Sequence, residues 1–256
     1  MSVELKICTF NLRVATEHDG INNFPYRTHR ILDTIRTEKP DVIGFQEARD
    51  EQRLWLRESL TDYTLLGCGR NANYRGESVV LGYRTDVFEM IAFEQFWLSP
   101  TPSVPASRFG ADQSTCPRTT VAASLKHHDA DEILHVYNTH LDHKGPIARL
   151  LGATQLIQRI SAQGGKFVLT GDFNATPDAA EIQSITACPT LPIVDATVGL
   201  GGTFHDYGKL DNPEKIDYIF TNAECDPAES YLIEDHPADG VYISDHNPVL
   251  AYITLN

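Results

Sequence analysis

Short apolar runs recur along the chain, many of them ending at Gly, Asp or Asn. Eight of them read as strands: Leu5 to Leu12, Asp41 to Gln46, Ser78 to Tyr83, Thr120 to Leu125, Ile133 to Thr139, Lys166 to Thr170, Ile216 to Phe220 and Pro248 to Leu255. Several are rich in β-branched or aromatic residues, which suit a pleated surface, and their polar ends feed loops. Between the strands the apolar period lengthens. Arg27 to Arg36 sets Ile31 and Ile35 on one helical face and stops before Pro40. Leu150 to Ile160 places Leu150, Ala153, Ile157 and Ile160 at helical spacing. Interleaved strands and helices predict an α/β or α+β domain whose sheets are covered by helices. Ser99 to Pro117 breaks the pattern with Pro100, Pro102, Pro105 and Pro117, and reads as a long surface loop of the kind that often binds ligands.

No repeat, low-complexity tract or Gly/Ser linker divides the 256 residues, so one domain over residues 1–256 is expected. A hydrophobic share of 41% and a charged share of 22% are ordinary for a globular protein. No run approaches the roughly 20 apolar residues of a membrane span. The opening MSVELKICTFNLR enters strand-like sequence without the apolar core of a signal peptide, and a cytoplasmic protein is expected. Cys8, Cys68, Cys116, Cys188 and Cys225 are scattered without a C-x-x-C pair, so neither a disulfide framework nor a zinc site is expected. The formal net charge of -14 argues against gripping a long duplex. Screening over roughly 8 Å still lets a local cationic pocket hold the phosphate of a small molecule or short strand.

Polar side chains at the strand ends change the picture. Asn11 follows Ile7-Cys8-Thr9-Phe10, and Gln46 and Glu47 follow Val42-Ile43-Gly44-Phe45. His140 and Asp142 follow Val136-Tyr137-Asn138-Thr139, and Asp172-Phe173-Asn174 follows Val168-Leu169-Thr170-Gly171. Asp217 lies in KIDYIF, and Asp245-His246-Asn247 precedes Pro248-Val249-Leu250. Any one of these is also an ordinary turn former. Delivered together to one edge, they form an oxygen-rich site suited to a hard cation such as Mg²⁺ or Mn²⁺. The two histidines supply acid–base or phosphate-stabilising groups. Phe173 is expected to point away from this site into the packing of the sheet, because alternate residues of an extended segment face opposite sides.

Further candidates have a functional and a plain reading. Arg118 sits where the Pro-rich loop returns to a strand, as a phosphate contact or a surface ion pair. His205, beside Phe204, reads as a contact for a substrate ring or sugar or as a solvated loop histidine. His127-His128 reads as an exposed turn, and Trp55 and Trp97 as packing residues.

The motifs TFNLR, GFQE, NTHLD, GDFN, KIDYIF and SDHNPV occur in that order from near residue 6 to the carboxyl end. In this the chain resembles the endonuclease/exonuclease/phosphatase superfamily, and within it a bacterial, deadenylase-like branch. The resemblance implies a four-layer sandwich, two packed mixed β-sheets flanked by helices, with the site at one end of the sheets. It implies Glu47 as the principal metal carboxylate, with Asn11 and Asp245 on the metal side. Asp172 and Asn174 match the pair that orients the attacking water and holds the phosphate. His246 matches the histidine on the scissile phosphate, Asp217 the carboxylate that orients it, and His140 a second histidine, with Glu77 as its partner. The expected activity is Mg²⁺-dependent hydrolysis of a phosphomonoester or phosphodiester, Mn²⁺ substituting, with Asp172 or His246 as base. The substrate is a phosphorylated small molecule or short nucleic acid, and no membrane or obligate protein partner is expected. The alternatives are a 3′-exonuclease or endonuclease on single-stranded RNA or DNA, and a non-catalytic phosphate-binding protein.

Overall fold

The computed structural model describes residues 2–110 and 112–256; Met1, and Ala111 within the expected Pro-rich loop, lie outside the described residues. Two six-stranded sheets pack face to face. The first runs β11 (Tyr231–Leu232), β12 (Val249–Leu255), β1 (Val3–Asn11), β2 (Val42–Ala48), β4 (Ser78–Arg84), β3 (Tyr63–Leu66). The second runs β5 (Phe88–Trp97), β6 (Thr119–His127), β7 (Ile133–His140), β8 (Lys166–Asp172), β10 (Asp217–Thr221), β9 (Val194–Asp195). Among the described residues four α-helices cover the outer faces: α1 (Phe24–Glu38), α2 (Asp50–Ser59), α3 (Pro146–Gln163) and α4 (Ala180–Thr186).

Alternation along each strand divides its residues between two cores. Leu5 and Ile7 of β1 face inward with Val42, Leu81, Val121, Val136, Val168 and Ile253. Cys8 and Phe10 face outward, where Ile31, Ile35 and Leu56 of α1 and α2 cover them. Across the sandwich, Ala153, Leu156, Ile160, Ile182 and Ile185 of α3 and α4 pack on Tyr137, Phe167, Leu169 and Phe220. Central strands buried on both faces read as continuous apolar runs, which is why they were visible in the sequence.

A polar clamp crosses the middle of the sandwich. Asn138 of β7 donates to Phe45 O at 2.8 Å and to Val80 O at 2.9 Å on the opposite sheet, and accepts from Gln46 Nε2 at 2.8 Å. Gly44 makes room for it, since a Cβ there would fall 2.8 Å from Asn138 Cγ.

Elements that sequence periodicity did not reveal are β3, β5, α2, α4 and the two-residue strands β9 and β11. Along α3 the buried residues are Ala148, Gly152, Ala153, Leu156 and Ile160, so Leu150, expected on the apolar face, is instead exposed. His127, expected in an exposed turn, is buried at the end of β6, its ring 5.4 Å from that of Phe88. Among the described residues no helix is long and apolar enough to cross a membrane.

Strand direction then places the polar ends. β1 and β2 are parallel, as are β7 and β8, while β10 and β12 run antiparallel to β8 and β1. The carboxyl ends of four strands and the amino ends of two therefore share one edge of the sandwich.

Candidate active site

Asn11 closes β1 beside Gln46 of β2. Immediately afterwards the β2–β4 register slips between Phe45 and Ala48, and Glu47 takes a left-handed φ of 63°. Such a bulge re-aims a side chain at some conformational cost. The Glu47 carboxylate there receives Val14 N at 2.7 Å and Asn11 Nδ2 at 3.3 Å. The Asn11 amide is fixed from its other side, where Oδ1 accepts Arg13 N at 2.9 Å, so Nδ2 also donates to Asp172 Oδ2 at 2.9 Å. One buried amide thus joins the carboxylates of two different sheets.

Asp172 ends β8, and its Oδ1 accepts Asn174 N at 2.9 Å in an Asx turn that leaves Asn174 at φ 49°. Asn174 Nδ2 is used on Leu141 O at 3.2 Å. His140, ending β7, brings Nε2 to 3.4 Å from Asp172 Oδ2. Phe173 turns the opposite way, fully buried against Tyr218 and Phe220 as alternation requires.

Directly across the β8–β10 ladder from Asp172 stands Asp217. Its Oδ2 accepts His246 Nδ1 at 2.8 Å and Thr203 Oγ1 at 2.5 Å. His246 precedes β12 in a loop tied down by Ser244 Oγ, which donates to Asn11 O at 2.6 Å. Arg27, buried in α1, holds the same two loops together: it donates to Leu12 O at 2.9 Å, Ile243 O at 2.6 Å and Arg13 O at 3.3 Å. Phe204 lies against the His246 ring at 4.9 Å, and Asp245 faces Arg13 Nη1 at 3.5 Å.

These groups open on a cleft of about 440 Å³, lined both by Glu47, Asp172, Asp245 and His246 and by Arg70, Arg118 and His143. Burial, and next the Asp217 charge, push Asp172 up to about 7. Burial would lower His246, yet the charge and hydrogen bond of Asp217 prevail and raise it to about 10. His140 is held well below its ordinary value by burial, then by the charges of Arg118 and Arg70. One histidine is accordingly a cation at neutral pH and the other neutral. Burial likewise raises Asp245, against the opposing pull of His246.

Glu47, His140 and Asp172 each offer a donor atom within 4.8 Å of one another, as do Asp172, Asp217 and His246. Glu47, Asp172, Asp217 and Asp245 crowd this end of the sandwich, so their donor chemistry, mostly oxygen with surplus negative charge, fits a hard divalent cation.

Of the residues singled out in the sequence, Asn11, Glu47, His140, Asp172, Asn174, Asp217, Asp245 and His246 are brought together, and Arg118 reaches the same cleft. Two differ from expectation. Glu77 is engaged by Arg70 through both carboxylate oxygens, one at 2.9 Å, and its nearest approach to His140 Nδ1 is 3.9 Å, too long for a hydrogen bond. His205 is buried, not solvated: Nδ1 accepts Gly208 N at 3.0 Å, the ring lies 5.3 Å from that of Tyr242, and it does not line the cleft. Its neighbour Phe204 lines the cleft instead. Arg13, Arg70, His143, Thr203 and Ser244 were not singled out as site residues. Arg13 stands within TFNLR and His143 directly follows NTHLD, so adjacency to a motif is the signal that pointed at them.

Residues 8–246 match the Endonuclease/Exonuclease/phosphatase family. A solved endonuclease/exonuclease/phosphatase structure from Bacteroides vulgatus is 31% identical, covers 99% of this chain and 100% of its own, and superposes with a TM-score of 0.92. A mannosyl-6-phosphatase from Bacteroides thetaiotaomicron VPI-5482 is 26% identical over 96% of this chain and 98% of its own, with a TM-score of 0.84. TDP2 from D. rerio, solved with a single-strand DNA product, is 17% identical with 99% of both chains covered and a TM-score of 0.77, a likeness of fold.

Proposed function

Since the chain belongs to the endonuclease/exonuclease/phosphatase family, and is thereby a metal-dependent phosphoester hydrolase, we propose that it cleaves a phosphomonoester or phosphodiester of a small or short substrate by attack of water, with Mg²⁺ as its ion and Mn²⁺ able to replace it. The observation that carries this reading is the meeting of Glu47, Asp172 and the Asp217–His246 pair in one cleft.

Glu47 would hold the ion, with Asn11, Asp172 and Asp245 around it, and the bound ion supplies Lewis-acid neutralisation of the phosphoryl oxygens. The protein's own groups do the rest. Asp217 fixes the His246 ring through Nδ1, which leaves Nε2 for a phosphoryl oxygen as negative charge gathers there. The Asn11 amide is already spent on Asp172 and Glu47, so its part is to hold those two carboxylates in place. Asn174 gives one Nδ2 hydrogen to Leu141 O, which leaves its other hydrogen for a phosphoryl oxygen and Oδ1 to orient water. Of the two candidate bases, Asp172 is the one left to take the proton of that water, because a cationic His246 has no lone pair to offer; such a role is worth about 10²–10⁴-fold.

A small substrate is supported by the net charge of -14, which repels a long polyanion, and by the sugar-phosphate chemistry named for the Bacteroides thetaiotaomicron neighbour. Phosphate release should be screened with Mg²⁺ or Mn²⁺ across hexose phosphates, inositol phosphates, nucleotides, and short RNA and DNA. Turnover confined to the oligonucleotides would refute the small-substrate reading.

A further inference from the structure

Arg118 carries a feature that hydrolysis at the acidic end of the cleft does not use. The residue is 4% exposed, and of its three guanidinium nitrogens only Nη2 has a partner, His143 Nδ1 at 2.9 Å. Nε and Nη1 are buried and, among the described residues, have no hydrogen-bond partner. An arginine only donates, so His143 is neutral here and carries its proton on Nε2. The carboxylates nearby are taken. Asp142, 3.6 Å from Nε, accepts Ser114 N and Oγ, Lys144 N and Gly145 N at 2.5–3.1 Å. Glu77, 4.0 Å from Nη1, is engaged by Arg70. The two carboxylates balance part of the charge, yet at 3.6 and 4.0 Å they lie beyond hydrogen-bond reach, and buried donors left without an acceptor are costly unless one reaches them.

The cleft provides the route for one. Arg118, Arg70 and His143 line the same space as Glu47, Asp172 and His246, and His140 stands between them, facing Glu77 through Nδ1 and Asp172 through Nε2. We propose that Arg118, with Arg70 and His143, forms a second oxyanion subsite in this cleft, so that the substrate carries two acidic groups: the ester phosphate cleaved at the acidic end and a second phosphate or carboxylate held by Arg118. This rests on the phosphoesterase reading above for the first group but not for the second. Guanidinium recognition of phosphate and carboxylate is charge-assisted and directional, whereas a neutral hydroxyl leaves the buried charge unmatched.

The test reads anion binding apart from turnover. EDTA-treated protein is titrated calorimetrically with inorganic phosphate and, separately, with acetate, comparing wild type with Arg118→Gln and Arg118→Lys. Wild type should bind phosphate, and Arg118→Gln should lose about tenfold or more in affinity. Arg118→Lys, which keeps charge without the forked donors, should fall between them. Preference for phosphate over acetate identifies the second group as a phosphate, and the reverse identifies a carboxylate. Should Arg118→Gln misfold, guanidinium NMR of the wild type gives the answer alone, because phosphate must shift the Arg118 Nε–H resonance. Equal affinity in all three proteins, or an unmoved Arg118 resonance at saturating phosphate, overturns the subsite. Since no turnover is needed, an inactive protein that binds phosphate at Arg118 would sink the enzymatic reading and keep this one; an active protein indifferent to Arg118 would do the opposite.

Discussion

Asp217→Asn isolates the group on which the His246 assignment depends. Asp217 Oδ2 holds His246 Nδ1 at 2.8 Å, with the two residues 1% and 4% exposed. Thr203 Oγ1 accepts Ile216 N and Asp217 N, both at 3.1 Å, and its own hydrogen has Asp217 Oδ2 at 2.5 Å as the nearer acceptor, with Glu214 O at 3.3 Å. The amide of the variant must therefore keep its oxygen at that position and place its NH₂ where Oδ1 now lies, buried and without a partner. The geometry of the ring survives while the charge beside it is lost and one donor is stranded. A buried hydrogen bond to a charged group is worth about 1.5–3 kcal/mol, which sets the expected loss of stability in urea. Activity should fall by about 10²–10⁴-fold with little change in KM, the loss of a positioned and charged histidine. In EDTA-treated wild type the His246 ring should titrate near 10, because the Asp217 charge outweighs burial. In the variant burial, the largest influence, is opposed only by the charges of Asp245 and Asp172, and the ring should titrate well below the wild-type value. Imidazole NMR over pH 5–11 (a window of about six units chosen to bracket both values) reads this directly. An unmoved ring titration together with undiminished turnover would refute the argument that Asp217 charges and fixes His246.

Three other substitutions and conditions extend the account. Asp142→Asn should destabilise the protein by about 1.5–3 kcal/mol at neutral pH, since the carboxylate accepts four hydrogen bonds. Burial would raise Asp142, but the Ser114 hydroxyl and the Gly145, Ser114 and Lys144 amides hold it well below the usual carboxylate range. A depressed carboxylate stabilises above its unfolded value and loses that stabilisation as pH falls, so the gap between wild type and variant in urea should be full at neutral pH and shrink below about pH 3.9; a gap independent of pH would be the wrong result. Asn138→Leu removes the side-chain donors to Phe45 O and Val80 O between the sheets, while the Gln46 amide keeps Thr9 Oγ1 and Gly44 O, and should cost about 2 kcal/mol or more, read as a lower urea midpoint. Mg²⁺ should raise the melting temperature of wild type and leave Glu47→Ala unmoved; equal shifts would place the ion elsewhere.

The strand ends were legible because each functional side chain directly flanks an apolar run, after it or, for Asp217 and His246, at or just before its start, and burial on both faces makes that run conspicuous. Asp172 was readable behind Val168-Leu169-Thr170-Gly171, and its neighbour Phe173 could be assigned to the opposite face by alternation alone. β5 was missed because it is an edge strand in which Glu89, Met90, Ile91, Ala92, Phe93 and Glu94 are all exposed, so burial imposes no alternation on it. α2 was missed because its face toward the sheet is made by Gln52, Arg53 and Leu56, two of them polar residues with local partners. Arg27 looked like one more charged position on a helix, and only the tertiary fold reveals the three loop carbonyls around its guanidinium besides Asn22 O. His205 and Glu77 show the reverse limit: sequence brought them near the site, but His205 Nδ1 is turned to Gly208 N and the Glu77 carboxylate to Arg70.

The central claim is that one acidic, histidine-bearing cleft hydrolyses a phosphoester with a divalent ion. Phosphate release by wild type, Glu47→Ala and His246→Ala, each with Mg²⁺ and with chelator, tests it most directly. Wild type is expected to turn over only when the ion is present, and each folded variant to fall by about 10²-fold or more. Undiminished release by both variants, or release that survives chelation, would contradict it.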